Sequence, residues 1–188
     1  VASDDSLHLA WAEQASGEDE HAVHRPLDDA SATPEQIAPS VVSSGAPSLA
    51  VDPTDDARRY VTVHAGGSNA DIRITDLGRP AAERTEAELG RVDQLDHTPT
   101  LRVHPDGGRG AVAWLRVESG TANELFVATF TDDAGTITAS DPVPIDSADP
   151  PGPYAPALTH VMGETWMVAW AARTADGFRV FARFVSLE

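Results

Sequence analysis

Apolar residues in this chain recur in short bursts of alternating character rather than at helical spacing. Four segments share one rhythm: Leu7-His8-Leu9-Ala10-Trp11, Tyr60-Val61-Thr62-Val63-His64, Gly110-Ala111-Val112-Ala113-Trp114 and Trp166-Met167-Val168-Ala169-Trp170. Their last positions, Trp11, His64, Trp114 and Trp170, lie 53, 50 and 56 residues apart, so three of the four tryptophans fall in one column. A Pro-led apolar stretch precedes the last three segments (47–51, 99–103 and 156–160), and another apolar stretch follows all four (22–27, 71–77, 125–130 and 179–184). Each stretch is short, rich in Val, Ile, Thr or aromatics and bounded by turn residues, which is how a strand reads. Between them lie turns such as Pro105-Asp106-Gly107-Gly108, where glycine supplies positive φ.

These strands are A (Pro-led), B (ending in the column) and C, and the weaker stretches 33–38, 84–92 and 137–145 supply a strand D. Four antiparallel strands repeating every 50 residues or so is the pattern of a propeller blade. The expected fold is therefore all-β: about 3.5–4 four-stranded β-propeller blades in a single region, bounded near 1–42, 43–94, 95–150 and 151–188. A β-sandwich also strings short strands at such spacing, but it does not usually repeat one three-strand signature four times. Segment 80–89, with its Ala and Glu, reads alternatively as a short helix. The chain starts at Val1, just before a B strand, and ends with a C strand. That register predicts a processed or excised piece of a larger or assembled propeller, completed by further blades of a longer chain or by another chain, because open edges invite aggregation.

Three stretches carry a resemblance: Tyr154-Ala155-Pro156-Ala157-Leu158, Gly163-Glu164-Thr165-Trp166-Met167-Val168-Ala169-Trp170 and Gly177-Phe178-Arg179-Val180-Phe181-Ala182-Arg183-Phe184. The block 98–145 is similar, including Gly135-Thr136-Ile137. Together they resemble the sialidase-like blade repeats of large bacterial secreted and surface proteins, frequent in myxobacteria and their relatives. The resemblance implies a propeller scaffold outside the cytoplasm (extracellular, periplasmic or on the cell surface) and names no activity. Sialidases carry Asp-boxes in the turn joining strands C and D. Here Ser3-Asp4-Asp5-Ser6 and Pro105-Asp106-Gly107-Gly108 fall in the A–B turn and lack the rest of the box. Neither an arginine triad nor a Tyr/Glu nucleophile pair is assigned.

Composition narrows the partners. Thirty acidic residues against 13 basic ones give a net charge of -17, and every basic residue is arginine. Arginine, alanine and 14 prolines without lysine suit a GC-rich coding bias, with adaptation to high salt as the competing source of the acidity. Such a surface repels phosphate backbones and anionic lipid, which argues against nucleic acid as a partner. No apolar run approaches the ~18 residues of a membrane helix, so no membrane insertion is expected. Without cysteine, disulfides and thiolate metal sites are excluded.

Candidate chemistry sits mainly in loops. Trp11, Trp114 and Trp170 could face sugar rings, but a tryptophan repeated at one strand position reads first as packing between blades. Trp166, at the start of its strand, is expected to be only partly buried, and His64 fills the column as a histidine in a smaller space. His21 and His24 are three apart and point to opposite faces of a strand, while His97 and His104 flank a strand A, so neither is a ready metal pair. Acidic turns offer oxygen ligands, with Asp52, Asp55 and Asp56 the best candidates for Ca2+, although no twelve-residue calcium loop is present and no other cofactor is implied. Loops B–C and D–A converge at one end of a propeller, and loops on a rigid scaffold commonly carry function. Asp96, His97, Glu118, Tyr154 and Arg173 are the ligand-binding candidates there. The expected function is a non-catalytic exported module that binds or assembles with a protein or carbohydrate ligand. The alternative is a fragment of a propeller hydrolase such as a glycosidase, whose catalytic residues lie partly outside this chain.

Overall fold

The computed structural model describes residues 7–14, 20–27, 29, 31–37, 46–65, 71–90, 95–117, 123–145 and 150–187. It is all-β, with four antiparallel sheets, each formed by one contiguous stretch of chain. Sheet 1 holds β1 (His8–Gln14), β2 (Glu20–Pro26) and β3 (Glu35–Gln36). Sheet 2 holds β4 (Ser48–Val51), β5 (Arg59–Ala65), β6 (Asp71–Asp76) and β7 (Glu86–Glu88). Sheet 3 orders β8 (Leu95–Val103), β9 (Arg109–Val117) and β10 (Asn123–Asp133), with β11 (Thr136–Ala139) and β12 (Val143–Ile145) both pairing to β10. Sheet 4 holds β13 (Ala157–Met162), β14 (Thr165–Thr174) and β15 (Gly177–Ser186). The segment that read alternatively as a helix forms one 3-10 turn, Ala81–Glu83, before β7.

Each sheet follows from its alternation, because successive side chains in a strand point to opposite faces. In β9, Val112 and Trp114 face one way and join a core with Tyr60, Ile72 and Ile74 of sheet 2. Ala111, Ala113 and Leu115 face the other way and join Trp166, Val168 and Trp170 of sheet 4. Val61 and Val63 of sheet 2 share a third core with Ala22 and Ile37 of sheet 1. The sheets therefore stack in chain order, each covering its predecessor. Every fully buried Val, Ile, Leu or Phe contributes about 1.5–3 kcal/mol to that stacking.

Register revises the tryptophan column. Leu49 pairs with Val61, Leu101 with Val112 and Leu158 with Val168. Two residues further on stand Val63, Trp114 and Trp170, so Val63, not His64, occupies the tryptophan position in sheet 2. The slip arises in the A–B turn. The Asp52 amide donates to Arg58 in sheet 2, whereas the His104 amide donates to Arg109 in sheet 3, one residue sooner. His64 consequently points toward sheet 3, and Val63 toward sheet 1. A second expectation also changes: Trp166 is 1% exposed, because His160 and Leu187 close over the start of its strand.

The interfaces are pinned by a small set of polar contacts. Asp52 is the largest of these. Its Oδ1 accepts from the Thr54 amide and hydroxyl, both 2.8 Å, and its Oδ2 accepts from the Gly108 amide of sheet 3 at 2.7 Å. His104 repeats the arrangement one sheet later. Its Nδ1 accepts from the Asp106 amide, leaving Nε2–H to donate to the Gly163 carbonyl of sheet 4 at 3.3 Å. At the start of strand A, Ser48 Oγ accepts from the Leu101 amide, and Thr100 Oγ1 donates to the Pro156 carbonyl. Tyr60 donates to Asp132, and Arg109 pairs with Glu164 at 2.7 Å. Arg84 of sheet 2 reaches Glu35 of sheet 1 at 2.8 Å.

Gly107 makes the Asp52 contact possible. Its φ is +74°, and a Cβ there would lie 2.0 Å from Thr54 Oγ1 and 2.4 Å from Asp52 Oδ1. Gly107→Ala is therefore expected to lower the unfolding free energy by roughly 2–4 kcal/mol, through strain and loss of the turn-to-turn contact. Urea denaturation monitored by tryptophan fluorescence checks this, and an unchanged midpoint would remove the contact from the account.

Candidate functional site

Among the described residues, two cavities open between the sheets, one at each end of the strands. The first, about 310 Å³, forms where strands A of successive sheets begin. Pro47 and Ser48 of sheet 2, His97, Thr98 and Pro99 of sheet 3, and Ala155 before sheet 4 line it, with His64 on its wall. The second, about 320 Å³, lies at the A–B turns of sheets 3 and 4, between His104, Phe130, Trp166 and Leu187. The Arg109–Glu164 ion pair lies in the lining of the second cavity.

Backbone strain marks the first cavity. Thr98 has φ +51°, and the β8–β9 register shifts between His97 and Thr100. A β-branched residue with positive φ is a genuine outlier, and such residues cluster at ligand sites where the surrounding structure over-determines them. His97, just before the bulge, faces Asn123, whose Oδ1 lies 3.4 Å from Nε2. Asn123 in turn donates to the Pro151 carbonyl at 3.1 Å, so the imidazole is braced from sheet 4. Thr98 Oγ1 is buried with no hydrogen-bond partner. Among the described residues, the lining offers two imidazoles, two hydroxyls and apolar proline and alanine surface, with no Asp, Glu, Lys or Arg.

The residues expected to bind ligand do not meet in one place. His97 lines the first cavity. Asp96, its neighbour, is fully buried and makes a bidentate pair with Arg116 at 2.7 and 3.0 Å. The Arg116 guanidinium also sits 4.1 Å from the centre of the Phe126 ring, so Asp96 serves the core. Tyr154 and Arg173 lie together elsewhere: Tyr154 packs edge-on against Phe178, which pairs across the strands with Arg173. Glu118 lies outside the described residues. Of the calcium candidates, Asp52 spends its carboxylate on turn amides, Asp55 pairs with Arg58 at 3.4 Å, and Asp56 lies in the same turn. Among the described residues, no group of three or more His, Asp or Glu is arranged to hold a metal ion. Sequence reasoning left out Ser48, Thr98 and His64 as lining residues, and a hydroxyl beside the repeated proline was the available signal.

Buried charges shape the electrostatics. Asp52 loses solvent on burial, which raises its pKa, but hydrogen bonds from Gly108, Thr54 and Asp55 outweigh that and hold it below the usual carboxylate range. Asp71 goes the other way. Burial, then the charge and hydrogen bond of Glu88, with Asp96 adding to them, push it to about 6, against the pull of Arg73. Gly90 lets these groups crowd the backbone, since a Cβ there would lie 2.1 Å from Asp96 and 2.6 Å from Asp71. Asp71 and Asp96 are both buried and line neither cavity. His24, stacked on His8, is lowered to about 4 by burial, then by His8, Arg59 and Arg84, against the opposing charge of Glu35.

Compared with known protein families, curated proteins and solved structures, the chain matches none.

These two shifts pull stability in opposite directions with pH. Between its ordinary value and about 6, Asp71 holds more proton in the folded state, so its contribution falls as pH rises. Between about 4 and its ordinary value, His24 holds more proton in the unfolded state, so its contribution grows as pH rises. Asp71→Asn removes the first effect and leaves the second. Across pH 4–6.5 the variant's unfolding free energy is expected to climb more steeply than that of the parent, by about 1–2 kcal/mol in total. Urea titrations at several pH values measure it, and parallel profiles would contradict the assignment.

Proposed function

We propose that this chain is a non-catalytic β-propeller-type module that binds a neutral, hydroxyl-bearing ligand such as a sugar unit at the mouth formed by its A strands. The observation that carries this reading is the cavity around Thr98. Strands A of sheets 2 and 3 and the approach to sheet 4 converge there, strained backbone is held in place, and the lining mixes imidazole and hydroxyl groups with apolar surface. Ligand sites commonly start at about 300 Å³ and combine apolar walls with a few placed polar groups. Described lining residues without carboxylate or guanidinium suit a neutral ligand, whose hydroxyls accept from or donate to His64, His97 and Thr98. Sequential stacking of four antiparallel sheets supports a propeller arrangement, with further sheets completing the ring. The resemblance to exported bacterial blade repeats carries an extracellular or cell-surface setting with it.

Titration calorimetry against a panel of neutral oligosaccharides tests the proposal. Binding is expected for the parent protein and at least tenfold weaker binding for His97→Ala, while Met162→Ala, at the exposed end of β13, binds as the parent does. Thr98→Gly is expected to gain roughly 1 kcal/mol of stability from relief of positive φ while losing affinity, as strained sites trade one for the other. No binding across the panel, or cleavage of a bound oligosaccharide, would overturn the proposal.

A further inference from the structure

A side-chain amide has an acceptor end and a donor end, and a neutral imidazole has one nitrogen of each kind, so hydrogen-bond partners decide which end faces where. At the start of β10, Asn123 Nδ2 donates to the Pro151 carbonyl at 3.1 Å. That carbonyl is held in place. Pro151 is buried and bridged to Ala172 of β14, and the next amide, Gly152, donates to the Ala171 carbonyl at 2.7 Å. Turning the Asn123 amide over would set its oxygen against the Pro151 oxygen. Oδ1 therefore faces the other way, toward His97.

His97 and Asn123 share one face of sheet 3, because Leu115 of β9 pairs with His97 on one side and, on the other, with Leu125, which has the same strand parity as Asn123. An amide oxygen only accepts. With that oxygen 3.4 Å from Nε2, the proton of the neutral ring belongs on Nε2. Nδ1 is then a lone-pair acceptor, and among the described residues nothing donates to it. The next residue, Thr98, has its hydroxyl oxygen buried with no partner among the described residues. Both residues line the first cavity.

We propose that His97 meets its ligand as a fixed acceptor at Nδ1, and that the group it selects is an alcohol hydroxyl. One hydroxyl donates its hydrogen to His97 Nδ1 and takes the Thr98 hydrogen on its oxygen. An ether or carbonyl oxygen has no hydrogen for His97, and an amide N–H has no lone pair for Thr98. A site that hydrogen-bonds a hydroxyl in this way discriminates against analogues lacking it, because its own polar groups are then left unpaired. Asn123 is a positioning residue, acting through the imidazole by setting which nitrogen is presented. This assignment rests on the reading of the cavity as a sugar site, and it fixes the direction in which one sugar hydroxyl is bound.

Heteronuclear NMR of the histidine rings in the ligand-free protein tests the tautomer. At mildly alkaline pH His97 is expected as the Nε2–H form, its signals identified by their loss in His97→Gln. Asn123→Ala is expected to give a mixture of the two tautomers; if that variant does not fold, the parent's tautomer decides alone. A parent ring protonated on Nδ1 overturns the proposal without any ligand. Titration calorimetry tests the hydroxyl, using the neutral oligosaccharide that binds most tightly and analogues in which fluorine replaces one hydroxyl at a time, removing the hydrogen and keeping a weak acceptor. At one position the replacement is expected to weaken binding to the parent at least tenfold and to make no difference to His97→Ala. If every analogue binds the parent as tightly as the unmodified sugar, the hydroxyl assignment fails and the sugar reading stands. If no unmodified oligosaccharide binds, the sugar reading fails and takes the assignment with it.

Discussion

Apolar side chains stand on both faces of each sheet in this chain, and the strand period of two means that covering one face leaves the other to be covered as well. Val112 and Trp114 need sheet 2, while Ala113 and Leu115 need sheet 4. Everything else in the architecture answers that demand. The sheets must stack, and each must meet its neighbours at a fixed rotation and height. The height is set by contacts between successive A–B turns, Asp52 to Gly108 and His104 to Gly163, and by hydroxyl contacts at the start of strand A. These polar contacts are few, but each satisfies a group that would otherwise be buried without a partner, where its cost would be about 1–3 kcal/mol.

The same stacking decides where chemistry can sit. Side chains between the sheets are consumed by packing, which is why Asp96 and Arg116 pair within the core and why Asp71 is buried beside the exposed Glu88. Among the described residues, both cavities lie at the strand ends, and the bulge at Thr98 falls there too. Thr98 departs from β geometry where strand A starts, beside the imidazoles of His64 and His97.

Much of this was legible in the chain. Strands A to D were readable because alternation and turn residues are local, and the repeat made each stretch reinforce the others. Register across sheets was less legible. One added residue in the turn after Asp52 moved Val63 into the tryptophan position and turned His64 toward sheet 3, and nothing in the local pattern distinguishes the two alignments. Trp166 looked half-exposed because its cover comes from His160 and Leu187, the latter 21 residues away in sequence. The site residues were the hardest to read. Asp96 and His97 are adjacent in sequence yet have opposite fates, one in the core and one in a cavity, because a strand sends neighbours to opposite sides.

The stacking of sheet 3 on the face of sheet 2 that bears Tyr60 is the claim on which the rest stands, and the Tyr60 hydroxyl to Asp132 contact at 3.0 Å reports it directly. A double-mutant cycle of Tyr60→Phe and Asp132→Asn, read by urea denaturation, measures the coupling. Stacking in this register predicts an interaction free energy of roughly 1–2 kcal/mol. Additivity of the two substitutions to within about 0.3 kcal/mol would place these residues apart and contradict it.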